Sequence, residues 1–106
     1  MVTYEDFRKT ELKIGTIKEI QAHPNADKLY VLKVDVGGVI KQLVAGIRLF
    51  YGEENLKEKQ VVVVDNLEPA VIRGIESQGM ILAASDASGV SVVSPDRRVA
   101  EGSLVK

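Results

Sequence analysis

The segment from Leu12 to Gln21 constrains this chain more than any other. Its apolar residues do not keep one phase: Leu12 and Ile14 alternate at period two, Ile17 is out of phase with them, and Gly15 stands between. Successive side chains of a strand point to opposite faces, so a phase change within one strand moves its buried face. A glycine at that change predicts a bulged, sharply bent strand. Barrels use such a strand to serve both halves of a sheet that closes on itself.

The remaining pattern supplies its partners. Leu29 to Val36 alternates, with Tyr30, Leu32, Val34 and Val36 on one face and Leu29, Val31, Lys33 and Asp35 on the other. Gly37-Gly38 predicts a two-residue hairpin turn leading to a third strand, Ile40 to Ala45. Gly46 to Gln60 breaks the alternation. Within it Glu53, Glu54, Leu56 and Lys57 set acids before bases, as a helix dipole favours, and predict one or two helical turns. Gln60 to Asp65 contains four consecutive valines and reads as a strand covered on both sides. Asn66 to Gln78 reads as a long polar connection, Gly79 to Ser85 as a fifth strand, and Val90 to Ser94 as a short additional one. Ahead of them all, Thr3 caps a short helix on which Tyr4 and Phe7 share a face. Five principal strands, a helical insert between the third and fourth, and an N-terminal helical turn give the order of the OB-fold, an all-β five-stranded Greek-key barrel. At 106 residues the chain is expected to be a single domain spanning 1–106.

Chemistry is hard to find. With no cysteine there is no disulfide framework or thiolate metal site, and the lone histidine, His23, lacks companions for zinc. No phosphate loop or dinucleotide fingerprint occurs. Ser77 lies in Gly74-Ile75-Glu76-Ser77-Gln78-Gly79, one residue too long for a nucleophile elbow. The expectation is a non-enzyme without cofactor or metal. Met1 to Asp6 has neither the basic nor the apolar region of a signal peptide. No apolar run approaches the ~20 residues that span a bilayer. A cytoplasmic protein with no membrane partner is expected.

Four stretches, in order, carry a resemblance. They are His23-Pro24-Asn25-Ala26-Asp27-Lys28-Leu29; Val44-Ala45-Gly46-Ile47; Val61-Val62-Val63-Val64-Asp65-Asn66-Leu67-Glu68-Pro69; and Arg73-Gly74-Ile75-Glu76-Ser77-Gln78-Gly79-Met80. Over almost the whole chain, Tyr4 to Lys106, the sequence resembles the tRNA-binding domain found at the C-terminus of many bacterial methionyl-tRNA synthetases and also as a separate small protein. The resemblance implies an OB-fold that binds tRNA by shape, with little sequence preference. It implies a homodimer, and a helper of an aminoacyl-tRNA synthetase rather than a catalyst. Starting at Met1 and ending just past the resemblance favours a separate subunit or stand-alone protein.

Structured RNA is recognised through its backbone, 2′-hydroxyls and shape, which calls for cationic and amide side chains on a rigid curved surface. The candidates are Lys28 at the exit of the first loop, Lys33 and Lys41 on either side of the hairpin, Arg48 after the third strand, and Asn66, Arg73, Ser77, Gln78 and Met80 around the connection to the fifth strand. Each cation reads equally as a solvated surface charge. Asn66, Ser77 and Gln78 read equally as side chains closing their own turn, and Met80 as core. The net charge of −1 requires any basic face to be local. Tyr4, Phe7, Leu104 and Val105 lie outside the five strands, and as apolar surface they are the candidate dimer interface, the other reading being plugs at the barrel ends. Two competing functions stay open. One is a peptide- or protein-binding module acting as chaperone or assembly factor; the other is a small hydrolase using Ser77.

Overall fold

A computed structural model describes all 106 residues. The chain opens with a short helix, α1 (Tyr4–Arg8), whose first turn is capped as predicted: Thr3 Oγ1 accepts from the Asp6 N–H at 3.1 Å. There follow β1 (Leu12–Ala22), β2 (Tyr30–Asp35), β3 (Ile40–Ala45), the helical insert α2 (Glu53–Leu56) and β4 (Gln60–Val64). Six short strands complete the chain: β5 (Ala70–Ile72), β6 (Ile75–Ser77), β7 (Met80–Ile81), β8 (Ala83–Asp86), β9 (Gly89–Val92) and β10 (Leu104–Val105).

The main sheet runs β3-β2-β1-β4-β7, with β10 also paired to β1. β1 serves both halves, as its pattern predicts. Residues Leu12 to Thr16 pair with β4, and Thr16 to Ala22 pair with β2. The bend is displaced from its expected place. The register shifts between Ile17 and Glu19, at Lys18, and not at Gly15. Ile17 faces the core opposite Val34, and Ile20 faces it opposite Leu32. The bulge absorbs the odd residue between them. Ile14 is out of phase with Ile17 for a different reason: it is buried on the other face, where its backbone bonds Gly102 and Ser103 of the tail. Gly15 is needed for space. A Cβ there would stand 2.5 Å from Val34 Cγ1 and 3.1 Å from Val36 Cγ1.

The valine run behaves as read. Val61 and Val63 are fully buried in the core with Ile17, Leu32, Leu43 and Leu56, while Val62 and Val64 are buried on the reverse face. Leu56 of α2 brings the helical insert into that core. Gly37 and Gly38 both have positive φ, 101° and 92°, as mirror-image hairpin turns require, and Asp35 Oδ1 accepts both of their N–H groups at 2.9 Å.

Two further readings are corrected. Asn66 to Gln78 is not a structureless connection: β5 and β6 form a hairpin within it, turned at Arg73-Gly74. The fifth strand is also broken. β7 pairs with β4, and past Leu82 the chain leaves the barrel as β8, which pairs only with β9. The barrel closes against β3 largely through side chains. Val44 N–H donates to Ser77 Oγ at 3.0 Å, Gln42 N–H to Gln78 Oε1 at 2.8 Å, and Gln78 N–H to Gln42 O at 2.8 Å. The result is a nearly closed five-stranded barrel of the OB type.

Candidate nucleic-acid interface

Two loops that are far apart in sequence are bolted together at one end of the barrel. His23 is buried, and its Nδ1 accepts from the Asn25 N–H at 3.0 Å. That leaves the proton on Nε2, which donates to Ile72 O at 3.0 Å. Asn25 Nδ2 donates to Arg73 O at 3.3 Å, and Arg73 Nη2 donates back to Asn25 O at 2.9 Å. Three hydrogen bonds therefore tie the loop of residues 23–29 to the tip of the β5–β6 hairpin as one body. Arg73 holds a positive φ of 51° at that tip.

Cations gather on this body. Lys28 is exposed within the loop, and its carbonyl accepts the Arg48 N–H at 3.3 Å, which brings Arg48 alongside. Lys33 lies on the outer face of β2, where Nζ donates to Gln42 Oε1 at 3.0 Å. None of Lys28, Lys33, Arg48 and Arg73 touches a carboxylate; the ion pairs of the chain use Arg8, Lys9, Lys13, Lys18 and Lys41 instead.

Lys41 is placed differently. It lies across from Val34 and so points toward the barrel interior, where Nζ meets Asp65 Oδ1 at 2.7 Å and donates to Asp65 O at 2.6 Å. The Oδ1 contact is an ion pair outside aligned hydrogen-bond geometry, the good alignment going to the carbonyl. Lys13 Nζ reaches Asp65 Oδ2 at 2.9 Å from the other side. Burial pushes the Asp65 carboxyl up, but the ammonium groups of Lys41 and Lys13 close beside it outweigh that and hold the carboxyl below the usual range. Lys13 is raised in turn, first by its hydrogen bond to Asp65.

The amide and hydroxyl candidates are committed to structure. Ser77 is buried and also donates to Gly79 O at 2.9 Å; with Gln78 it forms the closing seam. Asn66 Oδ1 accepts from Glu11 N–H at 2.9 Å and Nδ2 donates to Lys9 O at 2.6 Å, tying the exit of α1 to the end of β4. Met80 is partly exposed and lines an apolar groove of about 410 Å³ with Leu67, Ile72, Val44 and Val90. Tyr4, Phe7, Leu104 and Val105 all line one hollow of about 520 Å³ beside β1. Sequence reading missed His23, Asn25 and Gln42 as joints. The pairing of His23-Pro24-Asn25 with Arg73-Gly74 is invisible until the hairpin is known. No group of three or more His, Asp or Glu is placed to hold a metal, and no helix is long and apolar enough to cross a membrane.

Residues 12–104 match the family described as "Putative tRNA binding domain". The chain belongs to this family. Within the tRNA-binding-domain family, it is 53% identical over 105 residues to the methionine–tRNA ligase of Pyrococcus furiosus, covering 99% of this chain and 14% of that enzyme. Among solved structures it is similar to a chaperone protein, CsaA, of Picrophilus torridus, with TM-score 0.93, 31% identity and full coverage of both chains. It is equally similar to a MetRS-related protein of Pyrococcus horikoshii, with TM-score 0.92 and 31% identity, covering 100% of this chain and 98% of that one.

Proposed function

We propose that this chain binds folded tRNA by shape and backbone contacts, catalyses nothing itself, and assists aminoacylation by a synthetase, as a methionyl-tRNA synthetase subunit or a stand-alone relative. The observation that carries the reading is the group of unpaired cations, Lys28, Arg48 and Arg73, on the bolted pair of loops, with Lys33 on the adjoining sheet face. Arginine engages a phosphate with two parallel hydrogen bonds and lysine acts as a point charge. A rigid base for these groups lowers the entropy lost on binding. The site thus tolerates an overall charge of −1, because its positive charge is local. Lys41, Asn66, Ser77 and Gln78 hold the scaffold that aims it. Two copies joined through α1 and β10 would present two such faces to one RNA.

The test is affinity for unfractionated tRNA at several salt concentrations. Log affinity falling linearly with log salt, at a slope worth several phosphates, supports the reading. Absence of binding at low salt overturns it. The apolar groove beside Met80 favours a second reading, a peptide-binding module, which predicts binding that salt hardly weakens.

A further inference from the structure

We infer that Phe50 is a stacking platform for an unpaired nucleobase of the bound RNA, with the concavity on the β8–β9 hairpin receiving the edge of that base. The inference rests on the tRNA reading and extends it from backbone to base. Residues Ile47 to Tyr51 form a fixed turn. Phe50 and Tyr51 N–H both donate to Ile47 O, at 3.0 and 3.1 Å. Ile47 is buried. The Tyr51 hydroxyl accepts from Val92 N–H at 3.0 Å, and its carbonyl accepts from the Tyr30 hydroxyl at 2.6 Å. The turn nevertheless leaves Phe50 50% exposed. The ring is also held in place from one side: a Cβ on residue 89 would lie 2.8 Å from Phe50 Cδ1 and Cε1, so only a glycine lets it rest there. An apolar ring kept rigid, half in water and free on its outer side is pre-organised for stacking.

The surroundings select the ligand. A concavity of about 420 Å³ adjoins the ring and is walled by Asp86, Ser88 and Ser91. It holds no cation and one carboxylate, so a phosphate is repelled. Asp86 Oδ1 accepts from Ser88 N–H at 2.8 Å, and Oδ2 has no hydrogen bond. That oxygen suits an exocyclic amino group. Cations for the flanking phosphates stand just outside, since Arg48 is two residues before Phe50 and is bonded through its backbone to Lys28. Unstacked bases laid on aromatic rings beside basic groups are a general mode of single-stranded RNA recognition.

The chain contains no tryptophan, so Phe50→Trp in the full chain places a single indole reporter at the site. Adding tRNA should quench its emission. Phe50→Ala should weaken tRNA binding by about 5- to 100-fold. Its salt slope should not change, because no phosphate contact is lost, and a fully paired RNA duplex should bind it as well as it binds wild type. An indole left unquenched at saturating tRNA overturns this inference alone. Failure of the wild-type chain to bind tRNA overturns the RNA reading and this inference with it. Should Phe50→Ala fold poorly, the tryptophan variant still decides.

Discussion

Asp65 shows how one residue's environment can reverse its reading. It follows the valine run, where a carboxylate looks like the polar end of a strand, yet it is held between Lys13 and Lys41. Lys41 reads in the sequence as a surface cation. Its interior direction follows from register, since it stands across from Val34, and register was not visible without the paired strand. Asp65→Asn leaves both lysines without their counter-charge. The expected loss is about 1–2 kcal/mol, between a surface pair and a fully buried one, because all three groups keep some contact with water. The pH dependence follows from the depressed carboxyl. The contribution is fully present above about pH 4 and is lost as pH falls through the still lower folded-state value. Urea midpoints at neutral and acid pH check this. The gap between wild type and Asp65→Asn should be wide at pH 7 and close in acid; a gap that persists in acid would contradict the ion-pair account. Charge alone was legible for Lys28, Lys33, Arg48 and Arg73, and the structure leaves these four free of carboxylates.

Among the elements, the long strands and both helical turns were legible, and the β5–β6 hairpin was not. β3 and α2 fall within the segments predicted for them, and β1 serves both β2 and β4 as its phase change implies. The bend moved to Lys18 because a strand covered on both faces shows the same phase change as a bulged one. The β5–β6 hairpin escaped because each strand has three residues, too few for a period to declare itself. Its consequence is large, since it carries Arg73 to the His23 loop and sets Ser77 at the seam. Ser77→Ala removes the acceptor of the buried Val44 N–H. An unsatisfied buried donor costs about 1–3 kcal/mol. The variant should unfold at correspondingly lower denaturant, and its amide exchange at Val44 and Gln42 should quicken. Unchanged protection there would mean that the barrel closes without the seam.

At the scale of the molecule, α1 and β10 leave Tyr4, Phe7 and Leu104 substantially exposed around one hollow. A second copy of the chain would cover them. Phe7→Asp should convert a dimer to a monomer in sedimentation velocity, with the circular dichroism spectrum unchanged because α1 buries no residue in the barrel. A wild-type monomer would reject the self-association. If the dimer forms, the monomeric variant should also bind tRNA more weakly, through loss of avidity. The central claim is that a rigid, locally basic loop pair holds RNA by its phosphates. The most direct measurement is the salt dependence of tRNA affinity for wild type beside a Lys28→Glu, Arg73→Glu double variant. The account predicts a linear log–log plot for wild type and, for the variant, weaker binding with a slope shallower by roughly two phosphates, about 1.5–2 in slope. Equal affinity and equal slope in the two proteins would contradict it.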